Sequence, residues 1–205
     1  IAYGAVPVAP DPGDHAAIRF LRDLRGGDSY AADRKARFLK GLLQEIAAAA
    51  GDTKAYIAQY SEEDLKRKDV SAEVALLFLD DGRAEDALTL LQQADQEGRT
   101  FGQEAWDGAF VACLTAVGRE GDAQAHRWAS FAATLNPEPL RAYLKRLPDF
   151  EDVEAEDKAK DLVLKFPDVS AALEFCLSWP DLLTAAKLIG ARADEIDGNR
   201  YALLT

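Results

Sequence analysis

Two tight turns in this sequence are near copies of one another. Gly82-Arg83-Ala84-Glu85-Asp86-Ala87 recurs as Gly118-Arg119-Glu120-Gly121-Asp122-Ala123, a G-R-x-x-D-A pattern with a period of 36 residues. Each residue type has a mechanical reason to be there. Glycine takes the left-handed conformation that ends one helix, aspartate suits the dipole in the first turn of the next, and alanine keeps the crossing close. Helix-turn-helix units at a spacing of about 34–36 residues are the mark of a helical solenoid.

The flanking residues have the matching periodicity. Residues 71–81 carry Val74, Ala75, Leu77 and Phe78, and 84–96 carry Ala87, Leu88, Leu91 and Ala94. Residues 103–117 place Trp106, Phe110, Cys113, Leu114 and Val117 on one side, beside a stripe of Ala105, Ala109, Ala112 and Ala116 that admits a close neighbour. The partner helix over 122–135 carries Trp128, Phe131, Ala132 and Leu135.

Further helices are expected on both sides. Asp14 caps a helix through Ile18, Leu21 and Leu24 that Gly26-Gly27 breaks. A longer helix follows at about 30–50, with Phe38, Leu42, Leu43 and Ile46 as its core face and Gly51 as its stop. Asp52 caps a short helix through Tyr56, Ile57 and Tyr60, and 61–69 reads as a turn or one loose helical turn. Asn136-Pro137 starts a helix with cap and N1 proline. The next opens at 149–157 with a core face of Val153, Leu162, Val163 and Phe166. Asp168 caps one through Leu173, Cys176 and Leu177, and Trp179-Pro180-Asp181 begins one through Leu183, Ala186 and Ile189. No stretch alternates as a strand does. Residues 1–13, with three prolines and no periodicity, read as an extended tail or linker. The expectation is an all-α chain of antiparallel helix pairs, one helical-repeat domain over 14–205 whose array continues beyond Thr205.

Bulk properties narrow the function class. Hydrophobic residues make up 48% and charged residues 29%, a globular balance. The net charge of −12 disfavours nucleic acid and anionic membrane as partners of the whole surface. Residues 15–44 run against that trend, with seven bases (Arg19, Arg22, Arg25, Arg34, Lys35, Arg37, Lys40) and three acids. Cys113 and Cys176 sit in separate apolar helical runs, which reads as two buried free thiols and fits a reducing cytoplasm. No apolar run reaches the length of about 18 residues that a membrane span needs.

The 71–99 unit resembles a degenerate tetratricopeptide repeat, with Ala75, Phe78, Gly82, Ala87, Leu91 and Ala94 in place but without the opening Trp or closing Pro. The second unit is weaker, with Arg127 and Ser130 where the first has Leu91 and Ala94. Over roughly 34–205 the chain resembles an uncharacterised bacterial family of tetratricopeptide-like proteins. The residues that carry this are Arg37-Phe38-Leu39, Gly51-Asp52, Gly82-Arg83, Arg127-Trp128-Ala129-Ser130-Phe131, Leu177-Ser178-Trp179-Pro180-Asp181-Leu182, and Asp197-Gly198 with Tyr201 and Leu203-Leu204. The resemblance implies a continuing helical array. It supplies no activity and no catalytic residues.

Catalytic and metal signatures are missing from the sequence. The histidines are His15 and His126, and no nucleophile stands at catalytic spacing from either, so a helix-surface or partly buried role is the simpler reading of His126. The acidic run from Asp149 to Asp157 lacks the central glycine of a calcium loop and suits a helix N-terminus. Lys66-Arg67-Lys68 is hemmed in by acids, and Gly26-Gly27 has none of the surroundings of a phosphate loop. Trp106, Trp128 and Trp179 read as anchors between helices, while Tyr56, Tyr60 and Tyr143, with Arg127, are candidates for a partner-binding groove.

The function expected is therefore a non-enzymatic protein-interaction or scaffold module, with no catalytic residue, metal or cofactor and a protein or peptide partner in the groove. The alternative is a helical accessory part of a larger enzyme or nucleic-acid-handling protein whose active segment lies elsewhere.

Overall fold

The structure, a computed structural model, describes residues 27–94 and 101–196. The tail over 1–13, the helix expected from Asp14, His15 and the segment over 199–205 lie outside the described residues. Every regular element among the described residues is helical. They fall into two compact units, one ending at Asp64 and the other beginning at Leu65.

In the first unit, α1 (Gly27–Ala50) is followed by α2 (Thr53–Ile57). Gly27, expected as part of a break, is instead the first helical residue of α1. Gly51 ends α1 at φ 65°, and the reversal is closed by Gly51 N–H donating to Ala48 O and Asp52 N–H donating to Ala47 O. The Asp52 carboxylate then accepts from Ala55 N–H at 2.9 Å and starts α2. The expected core face of α1 is not buried: Phe38, Leu42, Leu43 and Ile46 are exposed, and Ala47 is the buried apolar residue. Five-residue α2 packs on 24-residue α1 and is too short to cover that stripe. The polar stretch after α2 forms a single turn, α3 (Glu62–Leu65). Asp64 N–H donates to Ser61 Oγ and Ser61 N–H donates back to Asp64, both at 3.1 Å, a reciprocal cap. The Ser61 amide, then Lys40 at 3.1 Å, hold the Asp64 carboxyl down at about 2.

The second unit runs α4 (Lys68–Asp80), α5 (Ala84–Ala94), α6 (Gln103–Ala116), α7 (Glu120–Thr134), α8 (Pro137–Leu144), α9 (Glu151–Lys165), α10 (Val169–Ser178) and α11 (Leu182–Arg192), then a 3-10 turn (Ala193–Glu195). Helix α4 packs on both α5 and α6, α6 on α5 and α7, and α8 on α7. Beyond these, α9, α10 and α11 pack on one another.

The repeated turns have the same backbone. Arg83 N–H donates to Phe78 O and Gly82 N–H to Leu79 O; Arg119 N–H donates to Leu114 O and Gly118 N–H to Thr115 O. This is the two-bond helix stop built on a left-handed glycine. In both copies the arginine then pairs with the aspartate three residues on, with 2.7 Å contacts from Arg83 to Asp86 and from Arg119 to Asp122.

Two apolar clusters form inside this unit. One gathers Ala75, Leu88, Leu91, Trp106, Cys113 and Leu114 from α4 to α6, and the other gathers Phe131, Leu140, Val163, Phe175, Cys176 and Leu188 from α7 to α11. Trp106 is buried, whereas Trp128 and Trp179 are partly buried against the second cluster. Both cysteines are buried free thiols, and burial raises their pKa values, that of Cys176 to about 11.

Of three further expected core faces, two are met in part and one is rotated. In α9 Val163 is buried and Leu162 and Phe166 pack partly buried on the second cluster, as expected, while Val153 is exposed and Ala155 and Ala159 complete the inward side. In α10 Leu173 and Cys176 are buried as expected, while Leu177 is exposed and Phe175 turns inward in its place. In α11 Thr184, Ala185 and Leu188 face in, leaving Leu183, Ala186 and Ile189 outside, with Leu183 78% exposed. On α11 two apolar stripes lie side by side, and the one with smaller side chains is the one that packs closely.

The caps fix the helix starts. Asp168 accepts from Ser170 N–H at 2.8 Å and Ala171 N–H at 3.2 Å. Asp168→Ala is expected to destabilise this unit by about 1 kcal/mol, read as a lower urea midpoint with unchanged slope.

Candidate functional site

The second of the two turns joins α6 to α7, and polar residues of these two helices meet where they pack beside the first apolar cluster. On α6, Gln103 and Asp107 are four residues apart; on α7, His126 and Ser130 are four apart. Such spacing places each pair on one helix face. The packing of α6 on α7 then brings both pairs to the same point.

Asp107 is the hub. Its carboxylate accepts from Ser130 Oγ at 2.6 Å, from Gln103 Nε2 at 2.9 Å and from His126 Nε2 at 2.9 Å. An ionised carboxylate only accepts, so His126 must carry its hydrogen on Nε2. The chain of contacts continues through Gln103 Oε1, which accepts from Lys68 Nζ at 2.7 Å. Lys68 is only 3% exposed and also lies over the Trp106 ring, 5.3 Å from its centroid. The His126 ring meets Phe110 and Trp106 edge-on at 5.0 and 5.7 Å. Burial works to raise the pKa of Asp107, but hydrogen bonds from His126, Ser130 and Gln103 outweigh it and hold the carboxyl below its ordinary value.

This arrangement is not a nucleophilic triad. In such a triad the histidine stands between hydroxyl and carboxylate and removes the hydroxyl proton. Here the carboxylate stands in the middle, and the Ser130 hydroxyl is spent on it. The group is a buried tie between helices.

Above the tie lies a cleft of about 530 Å³. Its walls are α6 (Glu104, Asp107, Gly108, Val111) and α8 with its cap (Asn136, Glu138, Pro139, Ala142), and α7 supplies the floor through His126, Arg127, Ser130 and Thr134. Gly108 leaves it open, since a Cβ added there would meet nothing within 4 Å. A wider hollow of about 760 Å³ lies where α7 meets α9, but its polar side chains Lys158, Asp161, Lys165 and Asp168 are exposed, and the bonds at its edge are spent on structure, Arg192 on the Phe166 and Pro167 carbonyls and Asp168 on its helix cap. The smaller cleft is the better organised site.

The four residues proposed from the sequence as groove candidates are divided by this geometry. Arg127 does line the cleft, though it is only 4% exposed and its guanidinium is committed to Glu120 and Gln124, each at 2.8 Å. Tyr143 packs on Trp128 with ring centroids 5.4 Å apart, and its carbonyl accepts from Gln124. Tyr56 and Tyr60 belong to the first unit, where their rings lie 6.0 Å apart and Lys40 sits 4.7 Å over Tyr60. His126, read as a plain helix histidine, and Lys68, read as part of a charged turn, both prove to belong to the buried tie. Asp107 drew no attention in the sequence, and Ser130 only as a departure from the repeat pattern, because their partners are 19 and 23 residues away. The acidic run enters the first turn of α9, and among the described residues no cluster of three His, Cys, Asp or Glu side chains is placed to hold a metal. Among the same residues no helix is long and apolar enough to cross a membrane.

A family model, described as a family of unknown function (DUF6880), matches residues 5–205, further toward the start than the 34–205 that carry the resemblance noted above. No curated protein and no solved structure matches the chain.

Proposed function

The chain belongs to that family of unknown function, and from this premise, which brings no activity with it, we propose that the protein is a non-enzymatic protein-interaction module. Its second unit is read as a short tetratricopeptide-like stack. Support comes from the two matching Gly-Arg turns and from α4 packing on both its hairpin partner α5 and the next hairpin's α6. A stack of this kind presents the first helices of successive pairs to a ligand.

One observation carries the reading. The α6–α7–α8 cleft is open at Gly108, and a largely buried, hydrogen-bonded tie joins its α6 wall to its α7 floor. A preformed concave surface on rigid helices is what a binding module needs. The tie itself has the wrong order of groups for acyl transfer. The reading as an accessory part of a nucleic-acid-handling protein draws on the basic stretch 15–44. Its described part gains little from the geometry, as Lys40 is engaged with Asp64 and Tyr60.

Gly108→Trp tests this. The substitution fills the cleft while leaving the helix intact, because glycine is the weaker helix former by about 0.5–1 kcal/mol. Proteins from the source cell that the unmodified chain retains on a column are expected to be lost with Gly108→Trp and kept with Gly121→Trp, a site with equally open surroundings. Retention of the same set by all three chains, or of nothing by any, would sink the reading.

A further inference from the structure

Resting on the interaction-module reading, we propose that the α6–α7–α8 cleft receives one basic side chain, an arginine or a lysine, from an extended segment of a partner protein. Volume comes first. A helix is about 10 Å across and rises about 5.4 Å per turn, so a single turn would consume most of the 530 Å³. A single long side chain fits with the peptide backbone left outside.

Charge decides the sign of that side chain. Glu104, Asp107 and Glu138 line the cleft. Among the lining, Arg127 is turned away to Glu120 at 2.8 Å, a carboxylate it shares with Arg146. Two helix starts add roughly half a positive charge each, less than the two full charges of the glutamates beside them. A carboxylate or phosphate ligand would meet net repulsion here.

Shape supplies the rest. Asn136 Nδ2 donates to Glu104 Oε1 at 3.3 Å, which draws the starts of α6 and α8 together. The two glutamates therefore mark one end of the cleft, while Val111 and Ala142, a turn or two further along their helices, mark the other. Pro139 continues the apolar side. A basic side chain has the same two-part character, an aliphatic stem and a charged head. The stem lies along Val111, Pro139 and Ala142, and the head reaches the carboxylates. Glu138 is available for this because its pairing with Arg141, at 3.5 Å between exposed side chains, is a weak one.

The test is a nuclear magnetic resonance titration of the full chain with N-acetyl-arginine amide, and with the citrulline analogue, which keeps the shape and loses the charge. Arginine is expected to shift the Gly108 amide and the His126 ring saturably, with a Kd on the order of millimolar, and citrulline to bind at least about tenfold more weakly. Glu104→Gln with Glu138→Gln should bring arginine down to the citrulline level, and Gly108→Trp should remove both responses. Equal binding of arginine and citrulline, no saturable shift with either, or indifference to the glutamate substitutions overturns the proposal. If Gly108→Trp still abolishes protein retention on the column while arginine and citrulline behave alike, the interaction reading stands and the basic-side-chain assignment alone falls.

Discussion

Gly102→Ala should cost the second unit at least about 3 kcal/mol. Gly102 precedes α6 at φ 84°, in the left-handed region where a side chain is strained. Most of the loss comes from lack of space. A Cβ at this position would stand 2.5 Å from the Asp69 backbone nitrogen and 2.8 Å from its Cα, in the first turn of α4. Neither atom belongs to a flexible side chain, so α4 and α6 would have to part. Gly82→Ala and Gly118→Ala separate the two effects. Both residues have φ near 75° but open surroundings, so each should lose only the strain, about 1 kcal/mol. All three tryptophans lie beyond Leu65, so tryptophan fluorescence during urea unfolding follows this unit. Equal losses at all three glycines would show that the close approach of α6 to α4 is not limiting.

Asp107→Ala is expected to cost about 2 kcal/mol, because it takes the shared acceptor from Gln103, His126 and Ser130, whose donors can then be met only by water entering from the cleft. Asp107→Asn keeps one acceptor oxygen but turns an amide toward a donor, and should fall between alanine and the parent. The pH dependence follows from the sign of the shift. The folded carboxyl lies below its unfolded value of about 3.9, so its contribution is complete above that value and disappears as pH falls through the folded pKa. Below about pH 4 the parent should lose stability more steeply than Asp107→Ala, and the two curves should converge. Parallel curves throughout the acid range would contradict this role for the tie.

Whatever depends on a few consecutive residues is legible in this sequence. Gly51, Gly82 and Gly118 stop helices, and Asp52, Asn136 and Asp168 start them, because a left-handed glycine or a capping oxygen acts within one turn. The side of a helix that packs is less legible. Leu183, Ala186 and Ile189 have the periodicity of a core face, yet Thr184, Ala185 and Leu188, one position along, are the residues inside. Periodicity finds an apolar stripe, but which of two neighbouring stripes is covered depends on what the rest of the chain brings to it. The same holds for Phe38, Leu42, Leu43 and Ile46 on α1. The cleft and its tie were hidden for another reason. Gln103–Asp107 and His126–Ser130 are visible as paired polar positions on two helices, but only the crossing of α6 and α7 turns them into one group.

The helix contacts of the second unit have a kinetic consequence. Most of the close helix packing there is between neighbours or next neighbours along the chain, from α4 with α5 and α6 to α9 with α10 and α11, with Phe131 of α7 against Phe175 of α10 as a longer-range contact. Little loop entropy has to be spent before a contact begins to reward it, which is the condition for folding on the order of microseconds to milliseconds. Each hairpin can close as soon as its own residues are available. A chain emerging from the ribosome can therefore assemble this unit in order, each new pair of helices settling on a template already made.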